Sequence, residues 1–202
     1  MTYKHLVIVI GPSGSGKDTL IAGARAILAD DPAFYFTTRE ITRPLGVGGE
    51  RHIAISKEEF QRRCDAGVYA IYWHAHDTWY GINRTIVDRL ADGKVVVLNG
   101  SRAAIDEAKK RFPGVNVIFI NSPEEVLLDR LAARGRESDL QVSERIARNA
   151  RLKTIPDGAI VLSNDGSGSL HQTLDDFVGI LQKTLADDPD GYADNVHLNH
   201  AV

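Results

Sequence analysis

The sequence is poor in cysteine and contains no long apolar run. Cys64 is the only cysteine among 202 residues, which excludes an intramolecular disulfide and a zinc site built from several cysteines. No hydrophobic stretch approaches the roughly 20 residues that a membrane-spanning helix needs. Charge of neither sign dominates, because 24 Lys and Arg stand against 27 Asp and Glu, for a net charge of −3. This balance argues against a dominant nucleic-acid-binding surface. We expect neither a nucleic-acid nor a membrane partner.

The start of the chain also lacks the features of an export signal. It leads straight into an apolar run, with no charged segment or cleavage site before it. With 43% hydrophobic and 25% charged residues, the composition is globular, and we expect a cytoplasmic protein with one domain over residues 1–186. Residues 187–202 are acidic and polar with Pro and Gly, which predicts a disordered tail. The sequence does not indicate an oligomeric state.

The strongest motif is a glycine-rich loop between an apolar run and a helical pattern. It has the spacing G-x-x-x-x-G-K, and strand, loop and helix in that order form the context of a phosphate-binding P-loop. Its glycines let several backbone N–H groups point inward, and the following helix adds the positive end of its dipole. Lys17 would reach the outer phosphates. The residues predicted to bind a nucleotide here are Gly11, Pro12, Ser13, Gly14, Ser15, Gly16, Lys17, Asp18 and Thr19.

The last position of this motif departs from the usual pattern. A Ser or Thr normally stands there and contacts Mg²⁺ through its hydroxyl, whereas this chain has Asp18. A carboxylate is a good hard ligand for Mg²⁺, directly or through water, so Asp18 is the predicted metal residue. The alternative is that Asp18 only favours the N-terminus of a helix through the helix dipole. Thr19 would then supply a hydroxyl to an inner phosphate.

Strand-like and helix-like patterns alternate along the rest of the chain. The main strand-like runs are 34–38, 94–99, 115–120 and 159–162. Such alternation predicts an α/β fold in which helices flank a parallel sheet and ligands bind at the carboxyl ends of its strands. Asn164 follows one such end and is predicted to bind the nucleotide. Residues 39–81 interrupt the pattern and are predicted to form an inserted subdomain, beginning with a loop at 39–50.

Three local signals predict where helices begin. Ser56 opens a capping box, in which its hydroxyl would accept a hydrogen bond from the N–H of Glu59. Apolar residues recur with helical spacing from Ile82, which predicts a helix ending at Gly93. Ser101 is predicted to cap the helix after the strand at 94–99.

A cluster of arginines late in the chain suits phosphoryl transfer, which needs positive charge on the migrating group. Arg145 and Arg148 are three residues apart and would share a helical face. Arg134 and Arg136 flank a glycine at the end of a helical pattern. We predict a mobile lid over about 134–148 that closes over the phosphates and excludes water. The alternative is a solvated basic helix face. The predicted catalytic residues are Lys17, Arg134, Arg136 and Arg145.

In their order along the chain, these segments resemble the guanylate kinase family. The resemblance rests on the P-loop and on residues 42–43, 49–50, 56–60, 80–81, 134–136 and 164–165. It implies a P-loop NTPase fold with a substrate-binding insert at 39–81 and a lid, using ATP and Mg²⁺. The insert is shorter than in the family and lacks the usual phosphate-binding tyrosine before Ser56. Two further differences concern guanine: Trp73 stands where guanylate kinases carry an acid that reads guanine, and residues 99–101 read Asn-Gly-Ser instead of Asp-Ile-Asp. Both changes remove acceptors for guanine.

A closer resemblance is to the ribose 1,5-bisphosphate phosphokinases of phosphonate breakdown. It rests on the aspartate after the P-loop lysine and on residues 41–43, 50–54, 73–75, 80–81, 99–102 and 134–137. It implies ATP-dependent phosphorylation of ribose 1,5-bisphosphate to 5-phosphoribosyl 1-diphosphate, with release of ADP. The substrate-binding residues are then expected to be Arg43, Glu50, Tyr80, Arg102 and Arg148. As a hypothesis, Arg43 and Arg102 each hold one phosphate of the sugar.

Two alternatives remain open at this stage. A nucleoside monophosphate kinase is disfavoured by Trp73 and Asn99, because guanine donors buried without acceptors would weaken binding heavily. A catalytically inactive guanylate-kinase-like binding module is disfavoured by Lys17 and the lid arginines, which such a module does not need.

Overall fold

Two sheets organise the protein, seen in a computed structural model that describes residues 2–44, 51–75, 77–133 and 154–187. The elements in chain order are β1 (Leu6–Ile10), α1 (Lys17–Ile27), β2 (Phe34–Phe36), β3 (Glu40–Ile41), β4 (Ile53–Ala54), α2 (Lys57–Asp65), β5 (Tyr69–Ala75), β6 (Thr78–Asn83), α3 (Thr85–Ala91), β7 (Val95–Asn99), α4 (Arg102–Arg111), β8 (Asn116–Asn121), α5 (Glu124–Ala133), β9 (Ile160–Ser163) and α6 (Leu170–Ala186). Within these ranges no helix is both long enough and apolar enough to cross a membrane.

The main sheet has five parallel strands in the order β2-β7-β1-β8-β9. β1 lies at its centre, where Val9 pairs with Asn99 of β7 and with Ile118 of β8. Every residue of β1 is buried, as expected for a parallel strand with helices on both faces. The carboxyl ends of β1, β7 and β8 therefore lie side by side at the start of the P-loop, which is where an α/β sheet binds its ligands.

Side chains of the main sheet alternate between two hydrophobic clusters, one on each face. Leu6, Ile8 and Ile10 pack with α4 and the second sheet on one face. Val7 and Val9 pack with α1 and α6 on the other. The same alternation along β7 assigns Val95, Val97 and Asn99 to the α1 face.

The second sheet has four strands in the order β4-β3-β6-β5 and comes from residues 40–83. β5 and β6 form an antiparallel hairpin, while β3 pairs antiparallel with β6 and parallel with β4. One face of this sheet, including Ile71, Trp73 and Ile82, packs against the main sheet. The other face contacts α2 through rings such as Phe60 and Tyr69, whose centroids lie 4.8 Å apart.

This sheet corrects two of the predicted boundaries. Residues 39–50 are predicted to be a loop, but Glu40 and Ile41 form β3, which is too short to show a period. The helix predicted from Ile82 begins at Thr85 instead, because Ile82 lies in β6 opposite Ile71. The spacing of Ile82 and later apolar residues fits a helix, yet cross-strand burial decides the conformation.

The two predicted serine caps have different outcomes. The Ser56 cap is confirmed, since its Oγ accepts a hydrogen bond of 3.1 Å from the N–H of Glu59. Ser101 does occupy the position before α4, but its hydroxyl makes no capping hydrogen bond. The predicted lid and residues 188–202 of the predicted tail lie outside the described residues.

Candidate active site

The P-loop joins β1 to α1 in a conformation that requires glycine. Gly14 and Gly16 have positive φ angles of 90° and 84°, which other residues adopt only with strain. A Cβ on Gly16 would lie 2.4 Å from Nδ2 of Asn164, and a Cβ on Gly11 would lie 2.7 Å from the carbonyl oxygen of Ile120. Gly16 precedes α1 and no side chain caps this helix, so its first N–H groups suit a bound anion.

A buried polar cluster supports this loop from behind. Asn164 Nδ2 donates to the carbonyl oxygen of Ser15 at 2.7 Å, and Ser122 Oγ donates to the carbonyl oxygen of Asn164 at 2.9 Å. Asn164 is only 5% exposed. The contact of Asn164 with a nucleotide stays a prediction. Its observed hydrogen-bond partners are Ser15 of the loop and Ser122 and Arg130 behind it. The structure therefore gives Asn164 a role in holding the shape of the P-loop.

Arg130 belongs to this cluster, although no motif in the sequence marks it as a site residue. Its guanidinium donates to the carbonyl oxygen and to Oδ1 of Asn164 at 3.1 and 3.3 Å. Among the described residues no carboxylate pairs with it, and its Nη1 lies 3.9 Å from where a Cβ on Gly16 would be. Arg130 thus adds positive charge beside the loop that is to hold phosphates. The available signal was its place one helical turn before Arg134.

Asp18 lies at the start of α1 with a positive and a polar neighbour. Its Oδ1 contacts Nζ of Lys17 at 3.3 Å and accepts a hydrogen bond of 2.7 Å from Nδ2 of Asn99. Burial opposes the ionisation of Asp18, but the charges of Lys17 and Arg39 and the hydrogen bond from Asn99 outweigh it. The pKa of Asp18 is therefore lowered from its usual value, and the side chain is a carboxylate at neutral pH.

Across from the P-loop, the second sheet contributes a stack of rings and a cation. The rings of Trp73 and Tyr80 are 5.2 Å apart between centroids and 6° from parallel, and the two residues are direct partners in the β5–β6 hairpin. The guanidinium of Arg39 lies 5.2 Å from the ring centroid of Tyr80. Because the charge of Arg39 also acts on Asp18, this residue links the insert to the P-loop. The sequence predicts a site role for Tyr80 but not for Arg39.

Arg39 is held in place through the strand that follows it. Its neighbour Glu40 is 5% exposed and accepts hydrogen bonds from Tyr69 Oη at 2.6 Å and from Arg63 at 2.8 Å. Burial and the bond to Glu40 raise the pKa of Tyr69, which keeps this donor protonated. Gly81 faces Glu40 across the sheet, and a Cβ there would lie 2.5 Å from the Tyr69 ring. The Tyr-Gly pair thus leaves room for the ring that anchors Glu40.

The remaining predicted substrate residues are only partly described. Arg102 begins α4 beyond the end of β7, with its guanidinium 5.6 Å from the centroid of the Phe119 ring. Burial lowers the pKa of Arg102, although a guanidinium stays charged at neutral pH. The backbone oxygen of Arg43 accepts a hydrogen bond of 3.1 Å from Nε2 of His52. The predicted residues outside the described ranges are Glu50, Arg134, Arg136, Arg145 and Arg148.

The fold and this loop define the P-loop class of α/β proteins, and comparison with known families narrows it. The guanylate kinase family model matches residues 3–183. The crystal structure of guanylate kinase from Anaplasma phagocytophilum has a TM-score of 0.56 at 19% identity, covering 88% of this chain and 84% of that one. A gluconokinase from Sinorhizobium meliloti has a TM-score of 0.53 at 18% identity, covering 93% and 97%. At such identities the two structures show the shared fold alone.

Relatives at higher identity carry a more specific name. "Ribose 1,5-bisphosphate phosphokinase PhnN" of Thiobacillus denitrificans is 45% identical over 182 residues, 90% of this chain and 94% of the relative. The protein of the same name from Klebsiella pneumoniae is 42% identical over 186 residues, 92% and 96% of the two chains. The chain therefore belongs to the guanylate kinase family and, within it, to the ribose 1,5-bisphosphate phosphokinases. This confirms the resemblance and the fold expected from the sequence.

Proposed function

We propose that this protein transfers the γ-phosphoryl group of ATP to ribose 1,5-bisphosphate, giving 5-phosphoribosyl 1-diphosphate and ADP. The observation that carries the proposal is Trp73 in the insert, which stands where the guanylate kinases carry an acid that reads guanine and packs flat on Tyr80. An indole offers no acceptor to the donors of guanine, so a base there would leave polar groups unpaired. The names and the 45% and 42% identities of the relatives support the sugar as acceptor.

The reaction asks the protein mainly for positioning and charge. An oxygen of the 1-phosphate forms a bond to the γ-phosphorus, and the bond from that phosphorus to the β–γ bridging oxygen breaks, leaving ADP. The attacking phosphate oxygen is already deprotonated, so no general base is required. Lys17 would neutralise the outer phosphates, the N–H groups at the start of α1 would hold the inner ones, and Arg130 would add charge from behind the loop.

We propose Asp18 as the residue that holds Mg²⁺. The hydrogen bond from Asn99 and the ion pair with Lys17 both fall on Oδ1, and in the described part of the chain Oδ2 has no hydrogen bond or ion pair. A charged carboxylate with one open oxygen fits a hard cation that keeps several waters. Asp18 would hold Mg²⁺ beside the P-loop, where the ion would supply positive charge to the phosphates of ATP.

We propose that the acceptor lies between the P-loop and the insert. Arg43 and Arg102 would each hold one phosphate of the sugar, because a guanidinium offers paired donors to phosphate oxygens. Tyr80 would contribute its hydroxyl. The roles predicted for Glu50 and Arg148 in acceptor binding, and for Arg134, Arg136 and Arg145 over the transferring group, stay predictions.

A coupled assay of ADP release tests this function. Ribose 1,5-bisphosphate, GMP and a blank without acceptor are compared, and phosphorus NMR identifies a diphosphate in the product. Release with the sugar alone is the expected result. Release with GMP alone would select the nucleoside monophosphate kinase, and no release with any acceptor would leave the inactive binding module. In a second arm, Arg102→Ala should raise the KM for the bisphosphate and leave that for ATP unchanged.

A further inference from the structure

We infer that this chain exchanges the two residues of the usual P-loop metal site, so that the charged residue stands at the end of the loop and the neutral residue at the end of the neighbouring strand. In this arrangement Asn99 positions Asp18. In P-loop NTPases a Ser or Thr at the end of the loop and an Asp at the end of a neighbouring strand hold Mg²⁺. Here the loop ends in Asp18, and the neighbouring strand β7 ends in Asn99. This inference rests on the proposed function of Asp18 as the magnesium residue.

The sheet register fixes Asn99 in the place of the strand-end acid. Asn99 is the last residue of β7 and pairs with Val9. Val9 is the next-to-last residue of β1, the strand that leads into the P-loop. Gly100, which follows Asn99, donates its N–H to the carbonyl oxygen of Val9 at 2.9 Å. A Cβ on Gly100 would lie 2.5 Å from the side chain of Ile8, so the backbone crosses close over β1. Asn99 and Asp18, 81 positions apart in sequence, meet at 2.7 Å as a result.

The exchange preserves the number of charges in the site. Two carboxylates this close would repel each other, and one would tend to take up a proton. A hydroxyl and an amide together would supply no charge for a divalent cation. Asp18 with Asn99 gives one carboxylate and one neutral group, as Ser with Asp does in the usual arrangement. A change at either position alone would lose that balance.

The hydrogen bond also sets the direction of the amide. Only Nδ2 of Asn99 can donate to a carboxylate oxygen, which places the amide oxygen on the other side of the group. This Oδ1 is buried and has no hydrogen-bond partner within the described ranges. A buried carbonyl oxygen without a donor is unfavourable. Asn99 therefore holds Asp18 through Nδ2 and leaves its own Oδ1 unpaired, which indicates that fixing Asp18 outweighs that cost.

Metal-dependent nucleotide binding tests the exchange without the sugar acceptor. The affinity for a fluorescent ADP analogue is measured with and without Mg²⁺, and binding of Mn²⁺ is followed by electron paramagnetic resonance. The variants are Asp18→Ser, Asn99→Asp and the double variant carrying both changes. Each single change should weaken the Mn²⁺ affinity by about 10–100-fold, as losses around metal ligands do. The double variant should recover most of that loss, because it restores one carboxylate and one hydroxyl in the usual places.

A double variant that binds Mn²⁺ no better than the weaker single variant overturns the exchange. Asn99→Leu supplies a second measurement if a charged variant unfolds: metal affinity should fall about 10–100-fold while metal-free ADP affinity stays unchanged. Equal loss of both affinities would make Asn99 merely structural. The matched control is Asn83→Asp, the same change at the end of β6, where Oδ1 accepts a hydrogen bond from Thr85 N–H that Asp retains. The sugar acceptor is absent from these binding measurements, so their outcome does not depend on whether the sugar is phosphorylated.

Discussion

The two halves of the active site are held together in different ways. The P-loop is a backbone structure, shaped by glycines with positive φ and supported from behind by Asn164 and Arg130. The insert is a side-chain structure, in which Trp73, Tyr80 and Arg39 stack in series. A backbone cradle has few alternatives, because Gly11 and Gly16 have close neighbours and Gly14 and Gly16 have positive φ. A stack of side chains can change one residue at a time.

This difference indicates where each half is fragile. The nucleotide half should fail when an atom is added, because there is no room beside Gly11 or Gly16. The acceptor half should fail when atoms are removed, because ring contacts and a cation fix its shape. The substitutions below test this contrast, beginning with the largest expected effect.

Replacing the charged end of the P-loop should give the largest loss of activity. Lys17→Met keeps an unbranched side chain but removes the ammonium, which is expected to act on the transferring group. We expect kcat to fall by about 10²–10³-fold, the usual cost of losing one such electrostatic contact. Single-turnover kinetics would measure it. Lys57→Met on the exposed side of α2 is the control, and a loss in that variant equal to the loss in Lys17→Met would contradict the assignment.

Adding one methyl group to the loop should abolish tight nucleotide binding. In Gly16→Ala the new Cβ would meet Nδ2 of Asn164, and φ of +84° adds strain of roughly 1–3 kcal/mol. Gly158→Ala is the matched control, because φ is +73° there and nothing lies within 4 Å of the new atom. Calorimetric titration with ADP should show binding lost only in the first variant. Normal binding by Gly16→Ala would refute the rigid cradle.

Removing a ring should affect the acceptor and leave the nucleotide untouched. Tyr80→Ala removes the stack on Trp73, worth about 0.5–1.5 kcal/mol beyond burial, together with the contact to Arg39. Tyr80→Phe keeps both contacts and removes only the hydroxyl. If that hydroxyl binds a substrate phosphate, Tyr80→Phe should raise the KM for the bisphosphate by about tenfold or more, since such bonds are worth about 1.5–3 kcal/mol. An unchanged KM in Tyr80→Phe, with a raised KM in Tyr80→Ala, would limit Tyr80 to packing.

The contrast also explains what the sequence could predict. The P-loop is contiguous, so its spacing, its lysine and its odd aspartate were visible without any fold. No sequence pattern marks Arg39 or Arg130, because the importance of each depends on partners that only the fold brings together. The same holds for the bond between Asp18 and Asn99: each stood out as a departure, but 81 positions of sequence separate them. The sequence pattern wrongly predicts a helix from Ile82, at the end of β6, because pairing with β5 is a non-local interaction.

The smallest expected effect is on stability, and it distinguishes Ser56, which precedes α2, from Ser101, which precedes α4. Ser56→Ala removes a cap from α2 and should lower the free energy of unfolding by about 1 kcal/mol. For a chain of this size that is a fall in Tm of about 2–4 °C. Ser101→Ala should leave Tm unchanged, because its buried hydroxyl caps nothing and has no hydrogen-bond partner in the described part of the chain. Thermal unfolding by circular dichroism measures both variants.

The same pair of variants extends the contrast to the acceptor. Ser101 adjoins Arg102, which is proposed to hold a phosphate, and we expect the bound sugar to give this buried hydroxyl the partner that the described part of the chain lacks. Ser101→Ala should therefore raise the KM for the bisphosphate without changing stability, whereas Ser56→Ala should lower stability without changing that KM. A fall in Tm for Ser101→Ala as large as that for Ser56→Ala would show that its hydroxyl serves the fold. In that case Ser101, like Ser56, would contribute to the stability of the fold and not to binding of the sugar.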